Sequence, residues 1–388
     1  MSRTFLFAGT YQLPGYGLAS GGDGIHVYEL EPETGALTHV FHYATRANTS
    51  ILAISPNRRN LYATDEQRDH GGVKGAGGGV LAFRIDRETG HLELLGTAPT
   101  YSPLTSYVNV DPTGSLLAFS NHGSTAYGEY RVTFRRGPDG KYVTETETDR
   151  VSVGVYALGA DGSILGEPDI HPLDVNLAHF HSAMFSPSGK WLLACDKGTD
   201  KICVYRVDLE NRRVLDNDPP YWYAGKRIAP RHIAFLPGTP YFFVCNELGY
   251  SVSAYRLDEE TGVITPVDNK PTLPMQPDDA AGATADIRIN NGFLYVSNRF
   301  RTVGLYPSYI AVYRIGEDGR LSLAEYRKLA AENPRGFNFD PSGRFLYTAD
   351  MDSDSITRYD VDPAAGTLSN PQTAAQIGTP CCIQIAAL

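Results

Sequence analysis

Charge is scarce in this chain. Asp, Glu, Lys and Arg make up 20% of 388 residues, and the formal net charge is −10. No basic tract occurs, which excludes the usual footprint of a nucleic-acid partner. No apolar run approaches the roughly 18 residues that a membrane span requires. The start, MSRTFLFAGTYQLPGYGLAS, meets Pro and Gly too early for a signal peptide. The five cysteines, Cys195, Cys203, Cys245, Cys381 and Cys382, are odd in number and form no CxxC. Three of them lie in apolar, strand-like runs, where a thiol is usually a small hydrophobe. These absences lead to the expectation of a reduced, cytoplasmic chain without a membrane segment. The shortage of charge and of Ala/Glu/Lys/Leu patterning also excludes a coiled coil, a helical bundle or a disordered chain.

Turn formers and aromatics are abundant instead. The 39 Gly and 25 Pro are about 16% of the chain, against about 12% in average proteins. With 24 Tyr, this composition favours short strands joined by tight turns. A repeat orders them. An aromatic anchor recurs at Tyr28, Phe83, Tyr156, Tyr205, Tyr255, Tyr313 and Tyr359, and Gly turns such as ETGAL at 33–37, ETGVI at 260–264 and AGTL at 365–368 follow it. A turn plus apolar strand precedes each later anchor: SPNRRNLYATD at 55–65, DPTGSLLAFSN at 111–121, SPSGKWLLACD at 186–196, LPGTPYFFVCN at 236–246, NNGFLYVSN at 290–298 and DPSGRFLYTAD at 340–350. A short apolar run leads into each of these.

One unit therefore reads strand a, turn, strand b, loop, strand c, Gly turn, strand d. Four antiparallel strands at a spacing near 50 residues are a β-propeller blade, which cannot bury both faces alone. The first unit supplies only strands b, c and d, and the C-terminus supplies an orphan strand, CIQIA at 382–386. Closing the first blade with that strand removes the open edges of the ring. The fold class expected is all-β: a seven-bladed β-propeller of four antiparallel strands per blade, forming a single domain over 1–388. Residues 122–150 read as an insertion within the third blade, and 266–284 as a Pro-rich excursion; either could cover a mouth of the ring. The segment 323–333 is helical by propensity, but the repeat assigns it to strand d.

Strand a lines the channel of a propeller, and its start shares a mouth with the end of strand b. Just before strand a the repeat places Ser50, Ser106, His181, Arg231, Asp286 and Arg335. At the end of strand b it places Glu66, His122, Lys197, Glu247, Arg299 and Met351. His181, Arg231, Glu247 and Arg299 come from the fourth to sixth blades and would face one small-molecule space.

The stretches HFHSAMFSPSGKWLLACDKGTDKICVYRVD, APRHIAFLPGTPYFFVCNELGYSVSAYRLDEETG, FLYVSNR and NPRGFNFDPSGRFLYTADMDSDSITRYDVD resemble the seven-bladed β-propeller lactonase family. That family includes bacterial 6-phosphogluconolactonases and the fungal carboxy-cis,cis-muconate cyclase. The resemblance implies a catalytic set of one His, two Arg and one Glu: His181, Arg231, Arg299 and Glu247. His179 lies two residues from His181 and competes for the imidazole role. His179, Lys197, Asp286 and Arg335 are the expected substrate-binding residues.

These residue types suit lactone hydrolysis. Neutral imidazole can take a proton from water near pH 7, and guanidinium forks can hold a carboxylate, a phosphate or a developing oxyanion. The same parts could run the reverse closure of a muconate to a lactone. The expected function is a metal-independent lactonase acting on a sugar-acid lactone. The alternatives are a carboxymuconate-type cycloisomerase and a non-catalytic binding propeller. A small-molecule lactone or carboxylate is the expected partner; nucleic acid, membrane and cofactor are not, and no oligomeric state is implied.

Other signals carry less. GGVKGAGGG at 71–79 fits neither phosphate-loop pattern and reads as a loop. DMDSDS at 350–355 lacks the Gly and Glu of a calcium loop and reads as a turn. His42, His70, His122 and His171 have no ligand-like spacing, so no metal is expected.

Overall fold

The computed structural model describes residues 3–12, 21–72, 77–123, 131–139, 141–147, 151–173, 178–275, 282–300 and 306–388, with backbone alone in the strands at 131–135 and 142–147. Seven four-stranded antiparallel sheets are formed, in the order the repeat dictates. The third to sixth blades begin with the strands Thr105–Val110, Phe180–Phe185, Pro230–Phe235 and Gly282–Asn290. Successive innermost strands contact one another around the whole ring. The ring closes as expected: Pro380–Ala387 pairs antiparallel with Thr4–Thr10, in the register Thr4 to Ala387 and Gly9 to Cys382. Leu321–Lys328 is the outer strand of the sixth blade, so the repeat overrides helical propensity there.

One segment differs from the sequence reading. Both ends of the Pro-rich excursion are blade: Ile264–Pro271 is an outer strand, and Gly282–Asn290 begins the next blade. Its residues 276–281 lie outside the described residues. In the insertion, Arg131–Arg136 and Tyr142–Glu147 form a separate two-stranded hairpin. The remainder, 124–130, 140 and 148–150, lies outside the described residues, as does 73–76 of the Gly-rich run.

The second strands are apolar on both faces along most of their length, because both faces are covered. In the fourth blade, Leu192 and Ala194 pack against the third blade, whereas Trp191, Leu193 and Cys195 pack against the fifth. The seven aromatic anchors are buried and reach the preceding blade. Tyr156 Oη donates to the Pro99 carbonyl at 2.5 Å, and Tyr359 Oη accepts from the Ala330 amide at 3.0 Å. The Gly turns reach the preceding blade as well. Tyr347 Oη donates to the Gly35 carbonyl at 2.7 Å, and Tyr295 Oη to that of Gly366 at 2.8 Å. Gly366 has φ +74°, and a Cβ there would lie 2.5 Å from the Phe293 ring. The repeated Gly thus gives a left-handed turn and lets the neighbouring aromatic close on it.

Candidate active site

A β-bulge seats the residue at the start of strand a. Phe180 pairs with Asp196 and Ser182 with Cys195, which leaves His181 as the extra residue. The same slip isolates Arg231 between Pro230 and His232, and Arg335 between Pro334 and Gly336. A bulge residue is free of the ladder's alternation and can be re-aimed. The sixth blade corrects the sequence phase. Thr284 opposes Asn298 as Pro230 opposes Asn246, so Ala285 is the counterpart of Arg231 and Asp286 that of His232. At the end of strand b, Asp65, Asn121, Asp196, Asn246, Asn298 and Asp350 form a row of side-chain amides and carboxyls. They fix the backbone at this mouth; Asp196 Oδ1, for example, accepts from the His179 amide at 2.7 Å.

The next position along strand b supplies the charged groups. Glu247 is buried and bridges two cations: Lys197 Nζ lies 2.9 Å from Oε1, and Arg231 Nε 3.0 Å from Oε2. Burial pushes the Glu247 carboxyl up, but Lys197, Arg231 and Arg299 outweigh it and hold the group well below the usual carboxylate range. Burial lowers the Lys197 ammonium, and Glu247 opposes that shift. Arg299 is buried on the same side, with Nη1 3.4 Å from Asn333 Oδ1. Arg231 is fully buried; Nη1 donates to the Ala285 carbonyl, while Nη2 meets no hydrogen-bond partner among the described residues.

The imidazoles form a chain. His181 Nδ1 lies 3.2 Å from His232 Nε2, and His232 Nδ1 lies 2.9 Å from Asp286 Oδ1. Arg231 Nη1, which can only donate, sits 3.1 Å from His232 Nε2. That nitrogen is therefore the acceptor, His232 carries its proton on Nδ1 toward Asp286, and His181 carries its proton on Nδ1 toward His232. His181 Nε2 is left with a free lone pair. Burial, reinforced by Arg231, holds His181 well below the ordinary histidine value. Burial holds His232 down to about 3. His179 and His122 lie alongside with ring centroids 3.2 Å apart, and the His122 ring is 5.1 Å from that of His181. Burial keeps both neutral well below the ordinary range.

Asp286 differs from its expected substrate-binding place. Besides His232, its carboxylate meets Arg288 at 3.3 Å and accepts from the Ile287 and Phe337 amides. Such a carboxylate orients its neighbours. Arg335 lies in the last blade, where Nη1 donates to the Ser50 carbonyl at 2.8 Å and Nη2 lies 3.5 Å from Glu66 Oε2. Its guanidinium also covers the Tyr11 ring, and Tyr11 Oη donates to Glu66 at 2.5 Å. Tyr11 and His232 escaped the sequence reading. Aligning TFLFAGTY with the other b strands would have placed Tyr11 level with Glu66, and His232 is the last residue of the PRH motif.

The mouth thus gathers Lys197, Arg231, Arg299 and Arg335 around Glu66 and Glu247, beside the row that contains Asp65, Asp196 and Asp350. A cavity of about 630 Å³ opens at the other end of the channel, lined by Val110, Phe185, Phe235, Ile289 and Arg288. It holds none of the four expected catalytic residues.

No helix among the described residues is long and apolar enough to cross a membrane. Residues 5–385 match the family model of the seven-bladed β-propeller lactonases. The chain is 30% identical over 346 residues to the 6-phosphogluconolactonase of Pectobacterium carotovorum, covering 89% of this chain and 90% of that protein. It is 25% identical to the 6-phosphogluconolactonase of Bacillus subtilis over 99% of both chains. The periplasmic gluconolactonase of Pseudomonas aeruginosa superposes with a TM-score of 0.80 over the full length of both chains, at 24% identity. From residue 5 to residue 385, then, this chain belongs to the seven-bladed β-propeller lactonase family.

Proposed function

We propose that the protein hydrolyses an anionic sugar-acid lactone of the 6-phosphogluconolactone type, using the side chains of this mouth and no metal. The observation that carries this reading is the clustering of four cationic side chains beside an imidazole whose free nitrogen is fixed by a buried His–Asp chain. Guanidinium and ammonium groups gathered in one place offer an anion several charge-assisted donors.

His181 Nε2 accepts a proton from water as the oxygen attacks the lactone carbonyl. Arg231, through Nη2, stabilises the oxyanion that develops. His181 then returns the proton to the ring oxygen, which leaves as a hydroxyl, and the carboxylic acid formed releases its remaining proton to solvent as the carboxylate. Asp286 and His232 are positioning residues that hold the tautomer, as the third member of a catalytic triad does. Glu247 stays ionised and splays Arg231 and Lys197 into place. Lys197, Arg299, Arg335 and His179 face the substrate anion. The five free cysteines, all buried, suit a reducing cytoplasmic setting.

Initial rates of proton release test the reading. A phosphorylated aldonolactone should be opened faster at low concentration than its unphosphorylated counterpart. Activity on a substituted muconate alone would transfer the site to cycloisomerisation. No turnover of either class would leave a binding propeller.

A further inference from the structure

A second cluster of chemistry lies far from the channel, on the outer strands of the first blade. We propose that Asp23, His26 and His42 bind one divalent transition-metal ion of the zinc type. Their ligand atoms all lie within 4.8 Å of one another. Asp23 Oδ1 is 2.6 Å from His26 Nε2 and 3.3 Å from His42 Nε2. Bonds of about 2.0–2.1 Å to a tetrahedral ion separate ligand atoms by about 3.3 Å, so small side-chain rotations suffice.

The fold builds this arrangement. Gly24–Leu30 pairs with Leu37–Ala44 so that His26 stands directly opposite His42, and their rings stack at 4.4 Å. Sixteen residues of sequence separation hide a direct cross-strand pair. A bulge between Val27 and Tyr28 then shifts the register. It turns His39 to the same face, with Nε2 3.3 Å from His26 Nδ1. Similar bulges recur in other blades, but here the re-aimed residue is a third imidazole. In the metal-free chain, His26 donates Nε2–H to Asp23. With an ion in place the proton resides on Nδ1 and is donated to His39, which fixes the ligating tautomer from outside the coordination shell. Two imidazoles and one carboxylate suit zinc, nickel or copper better than calcium or magnesium. His26 is largely covered, while Asp23 is exposed, so an ion can enter from solvent. The ion would tie the start of one strand to the end of its neighbour at the outer edge of the closing blade.

Zinc chloride titrated by calorimetry into the chelator-treated full-length protein tests the proposal. One equivalent should bind, and His26→Ala, His42→Ala and Asp23→Asn should each weaken binding at least about 10-fold, the usual cost of losing a ligand or its support. His39→Ala should weaken it less. Lactone opening should be unchanged in all four variants. Anomalous diffraction at the zinc edge gives an independent reading on any variant that folds. Absence of binding, or binding at the mouth histidines that ignores the Asp23 and His42 substitutions, overturns the assignment.

Discussion

Replacing Glu247 by Gln keeps the shape of the side chain and removes one charge from a knot of three cations. Its two oxygens lie 2.9 Å from Lys197 Nζ and 3.0 Å from Arg231 Nε. Point charges at these separations attract by about 5.5 kcal/mol at an effective dielectric of about 20. Desolvation offsets much of that in the intact pair, but not when one partner is deleted. Breaking a buried pair on one side costs about 3–5 kcal/mol. The seven-bladed core should survive, because the knot lies at the mouth and not between sheets. The catalytic effect should be larger. The Gln amide can accept from one cation only, so Arg231 loses its anchor. A displacement of about 1 Å at a reacting centre lowers turnover about 100-fold. Initial rates of proton release, with urea unfolding of the same preparation, measure both effects. Glu247→Gln should retain a cooperative transition at lower urea and lose at least about two orders of magnitude in kcat. Wild-type kcat and KM in the folded variant would refute the clamp.

Asp286→Asn should lower kcat about 100-fold or more with little change in KM, since it disturbs the tautomer of His181 and not substrate contact; an unchanged kcat–pH profile would separate Asp286 from catalysis. Stability should fall as pH drops from 7.5 to 5.5. His122, His179, His181 and His232 are held below the ordinary histidine value in the fold, so below about pH 6.5 the unfolded chain binds protons that the folded chain refuses, at up to about 1.4 kcal/mol per pH unit for each. Asp350, pushed up to about 7 by burial, and Asp196, also pushed up by burial, work in the opposite direction as two groups against four. A urea midpoint that rises on acidification would contradict these environments. Gly366→Ala should cost about 2–4 kcal/mol, because it adds left-handed strain and a clash with Phe293; calorimetric melting checks this, and an unshifted melting temperature would refute the joint.

The ring was legible because its repeat is written in turn chemistry. The Gly that follows most anchors forms a left-handed turn against strand b of the preceding blade, usually against an aromatic, so it recurs at fixed phase. The orphan C-terminal strand was legible for a related reason, since seven anchors with only six strand-a runs leave one blade to close. The site was legible at the positions where charge interrupts an apolar pattern, such as Arg231 and Glu247. Asp286 was misphased by one residue because a bulge adds a residue that period-two counting does not see. His232 was hidden within the strand it begins, where an imidazole reads as core. The Asp23–His26–His42 cluster was invisible because cross-strand register, not chain spacing, brings it together.

The proposed chemistry rests on which end of the channel holds the substrate. A crystal structure with an aldonate product soaked in decides it. The product carboxylate should lie within hydrogen-bond distance of Arg231 Nη2 and beside His181 Nε2. Density for the product in the cavity lined by Phe235 and Arg288, with the Arg231–Glu247 mouth unchanged, would contradict the account.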